Sequence, residues 1–162
     1  MNRIKVTQDN LRDDYQVVKG NILNEATLDN KTTLVEYRIL LIALSKISPV
    51  TKTLKVSFKT DDFCKLLNLV RNGMYSYIRE ASKKLASRTL TVEDKNRKHG
   101  ETYSWLTKIT YNEAYISLIF NPLLEEYILD IKKEGGYTKY FIKNILKLKS
   151  IYSVRLYELL KQ

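Results

Sequence analysis

Hydrophobic positions in the first third of the chain recur at helical spacing. The strongest pattern covers residues 33–47 and predicts an amphipathic helix. Thr33 is a favourable N-cap, and Glu36 three positions later completes the spacing of a capping box. Pro49 ends this helix, and a weaker helical pattern covers residues 16–26. The apolar face of the stronger helix consists of Leu40, Ala43, Leu44 and Ile47.

The next segment reads as a strand followed by two helices. Residues 53–58 alternate between apolar and polar and predict a short strand. Thr60 then caps a short helix that ends at residue 67. Residues 68–73 are rich in turn-forming types, and a longer helix covers residues 74–87.

From residue 89 the pattern changes to strands. Residues 89–93 alternate, residues 94–101 form a polar turn, and residues 102–120 are rich in β-branched and aromatic side chains. Asn121 and Pro122 start a helix over residues 123–133, which the two glycines at 135 and 136 interrupt. Thr138 then caps a last helical region that continues to the C-terminus.

The order of these elements predicts the fold class. Two helices joined by a tight turn and followed by a β-hairpin form the layout of a winged helix. We therefore expect an α+β fold, with residues 1–162 as a single winged-helix domain that carries additional N- and C-terminal helices.

The second helix of the pair separates into two faces at about 100° per residue. Its core face consists of Met74, Ile78, Ala81 and Leu85. The opposite face is small, polar and basic, with Tyr75 on its flank, and holds Asn72, Ser76, Arg79, Lys83 and Ser87. Arg and Asn side chains read base edges in the major groove, and Ser or Lys reach phosphates, so this face predicts a DNA-reading helix. An ordinary solvent-exposed helix face is the alternative.

Charge supports the same reading. The net charge is +10, and residues 51–100 contain twelve Lys or Arg but only five Asp or Glu. A local basic surface is typical of proteins that bind polyanions, although a general charge excess for solubility remains the alternative. Three cations lie in the predicted hairpin turn, where a wing meets the DNA backbone: Lys95, Arg97 and Lys98.

Residue types required for catalysis are scarce. His99 is the single histidine and Cys64 the single cysteine, so zinc sites and histidine-dependent triads lack ligands or partners. Neither a P-loop nor a dinucleotide-binding glycine pattern occurs. We expect no cofactor, no metal and no enzymatic activity. The chain has no apolar run long enough for a membrane span and no secretory signal, which favours the cytoplasm.

The C-terminal quarter carries a family resemblance. Leu148-Lys149-Ser150, followed by the run Tyr152-Ser153-Val154-Arg155-Leu156-Tyr157-Glu158-Leu159-Leu160, resembles the signature of iteron-binding, theta-type plasmid replication initiator proteins. Residues 24–49 resemble the opening helices of that family, and residues 118–132 resemble its strand followed by a helix. The resemblance extends over essentially the whole chain.

The resemblance implies an architecture and a function. The family has two tandem winged-helix domains, and this chain matches the first, with residues 137–162 leading towards a second. It implies a plasmid-encoded bacterial protein that binds direct repeats at a plasmid origin, recruits host replication proteins and represses its own gene as a dimer. The expected partners are double-stranded DNA and a second copy of the chain, and no membrane.

Two other functions remain open. A pure protein-interaction module would use aromatic and aliphatic hairpin residues as a dimer surface, namely Tyr103, Trp105, Tyr111, Tyr115 and Ile119. A tyrosine-dependent nicking enzyme would cleave supercoiled plasmid in a metal-dependent reaction, but the metal-binding histidines for it are missing.

The C-terminal helix also has a predicted core face. On a helical wheel Arg155 lies at the edge of that face, and we expect it to be structural, paired with a carboxylate or with carbonyl groups. The face itself consists of Ile145, Leu148, Tyr152, Leu156 and Leu159.

Overall fold

The computed structural model describes residues 11–47, 52–69, 72–129 and 136–162. The helices are α1 (Asn21–Glu25), α2 (Leu34–Ser45), α3 (Thr60–Leu66), α4 (Met74–Leu85), α5 (Glu125–Ile128), α6 (Ile142–Leu146) and α7 (Ile151–Lys161). The strands are β1 (Gln16–Gly20), β2 (Thr27–Leu28), β3 (Lys55–Lys59), β4 (Thr89–Glu93), β5 (Gly100–Ser104), β6 (Leu106–Tyr111), β7 (Tyr115–Phe120) and β8 (Tyr137–Phe141). This mixture confirms the predicted α+β class.

Helix α2 forms the centre of the core. Nine of its twelve residues are buried, so it is covered on all sides rather than along the single predicted face. The capping box is confirmed, because the Glu36 amide donates to Thr33 Oγ1 and the Thr33 amide donates to Glu36 Oε2 at 2.9 Å. Pro49, predicted to end this helix, lies outside the described residues.

The helix predicted over residues 16–26 is wrong in its first half. Residues 16–20 form β1, which pairs antiparallel with β8, and only residues 21–25 are helical. Thr138 was predicted as a helix cap but lies within β8, where its hydroxyl donates to Asn21 Oδ1 at 2.6 Å and accepts from Asn24 Nδ2 at 2.7 Å. The two strands come from opposite ends of the chain, so a local sequence pattern does not reveal their pairing.

Two three-stranded sheets replace the single predicted hairpin. Strands β4 and β5 form one hairpin, which is extended by β2, and strands β6 and β7 form a second, which is extended by β3. The division falls at Trp105, which is fully buried between β5 and β6. Its amide donates to the Arg88 carbonyl at 3.3 Å, and its carbonyl accepts from the Asn121 amide at 2.9 Å. This residue therefore joins the two hairpins.

Two predicted helix starts are shifted. Thr60 is the first residue of α3 rather than its cap; its hydroxyl donates to the Asn112 carbonyl at 3.2 Å, and the cap position is Lys59. The helix expected over 123–133 is a short 3-10 helix at Pro122–Leu124 followed by α5, with residues 130–133 outside the described part.

The C-terminal region contains two helices separated at Ser150, whose hydroxyl caps α7 by accepting from the Ser153 amide at 3.1 Å. The predicted core face of α7 is wrong. Tyr152, Leu156 and Leu159 are 84%, 57% and 45% exposed, whereas Ile145 on α6 is buried as expected. The buried side of α7 is instead occupied mainly by Val154 and Glu158. A polar cluster, described next, sets this orientation.

Arg155 and Glu158 fasten α7 to the rest of the domain. Glu158 Oε1 lies 2.6 Å from Lys19 Nζ, with both side chains fully buried. The Tyr140 hydroxyl donates to Glu158 Oε1 and the Tyr37 hydroxyl to Glu158 Oε2, each at 2.5 Å. Arg155 donates to the Asn24 and Ala26 carbonyls at 2.6 Å, to the Leu23 carbonyl at 3.2 Å and to the Tyr37 hydroxyl at 2.9 Å. The structural role predicted for Arg155 is confirmed.

These contacts shift the titration of the cluster. Burial lowers the pKa of Lys19 to about 8, although Glu158 partly opposes this shift. Burial alone would raise the pKa of Glu158, but the charge of Lys19 and the hydrogen bonds from Lys19 and the two tyrosines outweigh it and hold that pKa below its usual value. Burial, reinforced by the Glu158 charge, raises the pKa of Tyr37 and of Tyr140. The cluster is therefore a charged, hydrogen-bonded unit near neutral pH.

Candidate nucleic-acid interface

Helices α3 and α4 form a helix-turn-helix. Two turn residues have left-handed backbone conformations, Asn68 with φ 57° and Gly73 with φ 79°, of which the second immediately precedes α4. Glycine suits this position because residues with a Cβ adopt the left-handed conformation only at a cost in free energy. Helix α4 then buries Ile78, Ala81 and Leu85, with α2 and β6 among the elements beside it. The predicted core face is confirmed, with Met74 only half-buried.

The opposite side of α4 is exposed as predicted. We refer to the exposed side chains of Asn72, Tyr75, Ser76, Arg79 and Lys83 as the α4 polar face. Glu80 borders this face and lies 3.6 Å from Lys83, with both side chains about half exposed. An exposed pair of this kind contributes at most about 1 kcal/mol, so Lys83 can exchange it for a phosphate at little cost.

Tyr77 is a further exposed residue that the sequence patterns did not single out. It is 50% exposed and lies on the flank of α4 opposite Tyr75. Tyr77 also affects the titration of Arg38 on α2. Burial lowers the pKa of Arg38, and the electrostatic interaction with Tyr77 partly opposes that shift. The position of Tyr77 on the helical wheel, between the buried and polar faces, could have predicted its exposure.

The predicted wing is a tight turn at the tip of the β4–β5 hairpin. Asp94 Oδ1 accepts hydrogen bonds from the amides of Asn96 and Lys98 at 3.1 and 3.0 Å, and Arg97 adopts a left-handed φ of 51°. These bonds fold the turn so that its three cations, Lys95, Arg97 and Lys98, are all exposed. The turn therefore presents a basic tip, as predicted.

A buried ion pair fixes the junction between α4 and the wing. Arg88 lies between α4 and β4, and its Nε donates to Glu36 Oε1 at 2.6 Å. Because the same carboxylate completes the capping box of α2, one side chain links the start of the central helix to the end of α4. Sequence spacing revealed the cap but not this second partner.

The residues predicted as a dimer surface do not form one face. Trp105 is fully buried in the core, so its assignment to a surface is wrong. Tyr103 is half-buried on β5 and donates to Glu101, whereas Tyr111, Tyr115 and Ile119 belong to the separate β3–β7–β6 sheet. Of these, Tyr115 is 39% exposed. The prediction of a single hairpin placed these residues on one two-stranded ribbon, whereas the structure divides them between two sheets.

Among the described residues, no group of three or more His, Cys, Asp or Glu side chains is arranged to hold a metal ion. The same part of the chain contains no helix that is long and apolar enough to cross a membrane.

A helix-turn-helix with a basic second helix, followed by a hairpin with a basic tip, defines a winged-helix domain of the type found in DNA-binding proteins. The family model for the WH1 domain of initiator replication proteins matches residues 16–161. The chain belongs to this family, which confirms the resemblance in its C-terminal quarter.

The proteins to which the chain is similar include one replication initiation protein and two solved structures. A replication initiation protein of Escherichia coli is 25% identical over 150 residues, which cover 90% of this chain and 46% of that protein. The crystal structure of the Pi initiator protein in complex with iteron DNA superposes with a TM-score of 0.73 at 20% identity, covering 93% of this chain and 64% of that one. The WH1 domain of a replication protein isolated from a multiple sclerosis patient gives 0.48 at 22% identity, with 64% and 85% covered. The chain thus spans about half the length of its curated relative.

Proposed function

We propose that this domain binds the double-stranded direct repeats of a plasmid origin through the α4 polar face and the wing, as part of a replication initiator. The observation that carries the proposal is the exposed row of Ser76, Arg79 and Lys83 on the second helix of a helix-turn-helix, with Asn72 exposed in the turn before it. Membership of the initiator family supports it, and so does the complex of the Pi initiator with iteron DNA.

The chemistry of the α4 polar face suits major-groove reading. Arg79 offers the planar fork that bridges two acceptors of guanine, and Asn72 offers the paired donor and acceptor that match adenine. Lys83 and the wing cations would bind phosphates, which position the domain without reading sequence. If α4 and the wing together neutralise about five phosphates, log K would fall with log salt at a slope near −4.5.

The activities of the whole initiator extend beyond this domain. Because the chain covers 46% of the Escherichia coli relative, opening of the duplex and recruitment of host replication proteins are assigned to the complete protein. We include dimerisation and repression of its own gene in the proposal, since a two-fold dimer would match a palindromic operator. The setting would be the bacterial cytoplasm, and no catalytic step is expected of the domain.

Double substitution of the α4 polar face tests the proposal. Arg79→Ala with Lys83→Ala should reduce the salt slope by about 0.9, the share of the Lys83 phosphate contact, and weaken binding to an origin-repeat duplex roughly 5- to 150-fold, which corresponds to about 1–3 kcal/mol. Fluorescence anisotropy at several salt concentrations measures both. A variant that keeps the affinity and the slope of the unchanged chain would refute the assignment of α4.

Matched controls separate contact from general charge. Lys139→Ala with Lys161→Ala removes the same charge from exposed positions on β8 and α7, outside the α4 polar face and the wing. This control should change the slope much less than the α4 variant. Incubation of supercoiled plasmid with the chain and Mg²⁺ should give no nicked product, and nicking would favour the enzyme alternative.

The interaction-module alternative makes a different prediction. In that case Tyr115→Ser, on the exposed side of the β3–β7–β6 sheet, would convert dimers to monomers in analytical ultracentrifugation while the α4 variant leaves DNA binding unchanged. The proposed function requires instead that the α4 variant weakens DNA binding.

A further inference from the structure

A basic cleft lies beside the helix-turn-helix. It has a volume of about 650 Å³ and is enclosed by residues 11–14, the C-terminal end of α3 and helix α6. Three lysines line it, Lys65 from α3 and Lys143 and Lys147 from α6 and its C-cap, and all three are exposed. We call this the lysine cleft. None of the three belongs to the α4 polar face or the wing.

The charges of the lysine cleft are only partly balanced from within. Arg12, Asp13 and Asp14 also line it. Arg12 and Asp14 pair with each other through two hydrogen bonds of 2.9 and 2.6 Å, so the three lysines and Asp13 leave an excess of positive charge. Within the described ranges, no carboxylate forms an ion pair with Lys65, Lys143 or Lys147. Three lysines that line one cleft beside a single further carboxylate give it a positive potential, which an anionic partner would neutralise.

The spacing of the lysines suits a line of charges. Lys143 and Lys147 are four positions apart across α6 and its C-cap, which places them on the same side of that helix. Lys143 Nζ lies 5.2 Å from the centre of the Phe141 ring, a contact that orients its stem. Leucines between the lysines, such as Leu66 and Leu146, give an apolar floor on which the methylene stems can rest.

The lysine cleft adjoins the DNA-reading elements. Lys65 and Asn68 lie at the end of α3 and lead directly into the turn before α4. On the other wall, Arg38 Nη2 donates to the Leu146 and Leu148 carbonyls at 3.2 and 2.7 Å, which fixes the end of α6. The α3 wall is therefore continuous with the helix-turn-helix, and the α6 wall is fixed to α2.

We infer that the lysine cleft is a second DNA-binding site, which receives the sugar-phosphate backbone of the same duplex outside the segment read by α4. The inference rests on the proposed function. Lysine ammonium groups bind phosphate as point charges and carry no base preference, so this contact adds affinity and orientation but no sequence specificity. We favour a duplex over an acidic protein because the cleft adjoins the helix-turn-helix, whose second helix, α4, is proposed to face DNA.

Salt-dependent binding tests the inference. The probe is a 30-base-pair duplex of mixed sequence, and the variant of the 162-residue chain is Lys65→Ala, Lys143→Ala and Lys147→Ala together. Loss of three phosphate contacts should reduce the salt slope by about 2.7, and each single substitution by about 0.9. The control is Lys108→Ala, Lys139→Ala and Lys161→Ala, three exposed lysines elsewhere. Circular dichroism verifies that each variant is folded.

The outcomes distinguish the two proposals. A slope reduced in the cleft variant but not in the control supports the inference. If the unchanged chain binds and Arg79→Ala with Lys83→Ala weakens it, while the cleft variant behaves like the control, the inference is overturned and the proposed function stands. If the unchanged chain binds no duplex at low salt, both are overturned. Polyglutamate binding that is lost in the cleft variant, with DNA binding intact, would assign the cleft to an acidic protein instead.

Discussion

Replacing Glu158 by Gln tests whether the buried cluster fastens α7 to the domain. The side chain keeps its shape but loses its charge, so Lys19 is left fully buried without its counterion at 2.6 Å. Removing one partner of a buried pair typically costs about 3–5 kcal/mol. The cost has a ceiling, because Lys19 can release its proton instead.

The ceiling follows from the titration of Lys19. In the folded chain its pKa is about 8, so releasing its proton at pH 7 costs about 1.36 kcal/mol for one pH unit, or about 1.4 kcal/mol. This limits the loss that Lys19 causes to a value below the usual range for a broken buried pair. For a domain of this length each kcal/mol lowers Tm by about 2–4 °C, so Glu158→Gln should lower it by roughly 3–6 °C.

Urea and thermal denaturation followed by circular dichroism measure this loss. Glu113→Gln, an exposed glutamate, is the control and should change stability by less than about 0.5 kcal/mol. Lys19→Met combined with Glu158→Gln removes both charges and should recover at least about 1 kcal/mol of the single-variant loss through coupling. A double variant as unstable as the sum of the two single variants would refute the ion pair as the source of the stability.

Two further predictions concern acid stability and the turn before α4. The pKa of Glu158 is lower in the folded chain than its ordinary 4.5. Its contribution to the free energy of unfolding is therefore complete above about pH 4.5 and is lost as the pH falls through the lower folded pKa. In an acid titration, Glu158→Gln should lose stability less steeply than the unchanged chain. Gly73→Ala should destabilise the domain by about 1–2 kcal/mol in urea denaturation, with an unchanged m-value. The cost comes from the backbone φ of +79°, because no atom lies within 4 Å of an added Cβ. Gly73→Asn should cost less, and equal costs for Ala and Asn would contradict the left-handed turn.

Local patterns predicted the helix-turn-helix well. Helix α4 has one buried and one polar side, so its exposure follows from its own residues, and the α2 cap follows from two residues three positions apart. The wing cations were predicted for the same reason, because a polar turn between strands is exposed wherever the hairpin packs. Each of these features depends on neighbours within a few positions.

Features that depend on distant partners were not predicted. Strand β1 is recognisable only through its pairing with β8, and the separation of the two hairpins depends on where Trp105 is buried. Sequence spacing likewise gave no sign that Lys65, Lys143 and Lys147 line one cleft, because Lys65 is far from the other two along the chain.

The error on α7 has a chemical cause. Helical spacing assigns Tyr152, Leu156 and Leu159 to the core because they are apolar, yet the helix buries Glu158 and much of Arg155. Burying a charge is unfavourable unless every donor and acceptor is matched. Here Lys19, two tyrosine hydroxyls and three carbonyls supply those matches, and they come from β1, α1, α2, β8 and neighbouring segments.

The same chemistry explains why the most specific sequence motif lies away from the candidate interface. Arg155 and Glu158 must each satisfy several fixed partners in a buried space, so neither can be exchanged for another charged residue without loss. The α4 polar face and the lysine cleft need only charge and reach in water, which many combinations of Lys and Arg provide. The motif therefore identifies the scaffold that holds α7, α1 and the core together, while the proposed DNA binding belongs to surface residues of α4, the wing and the lysine cleft.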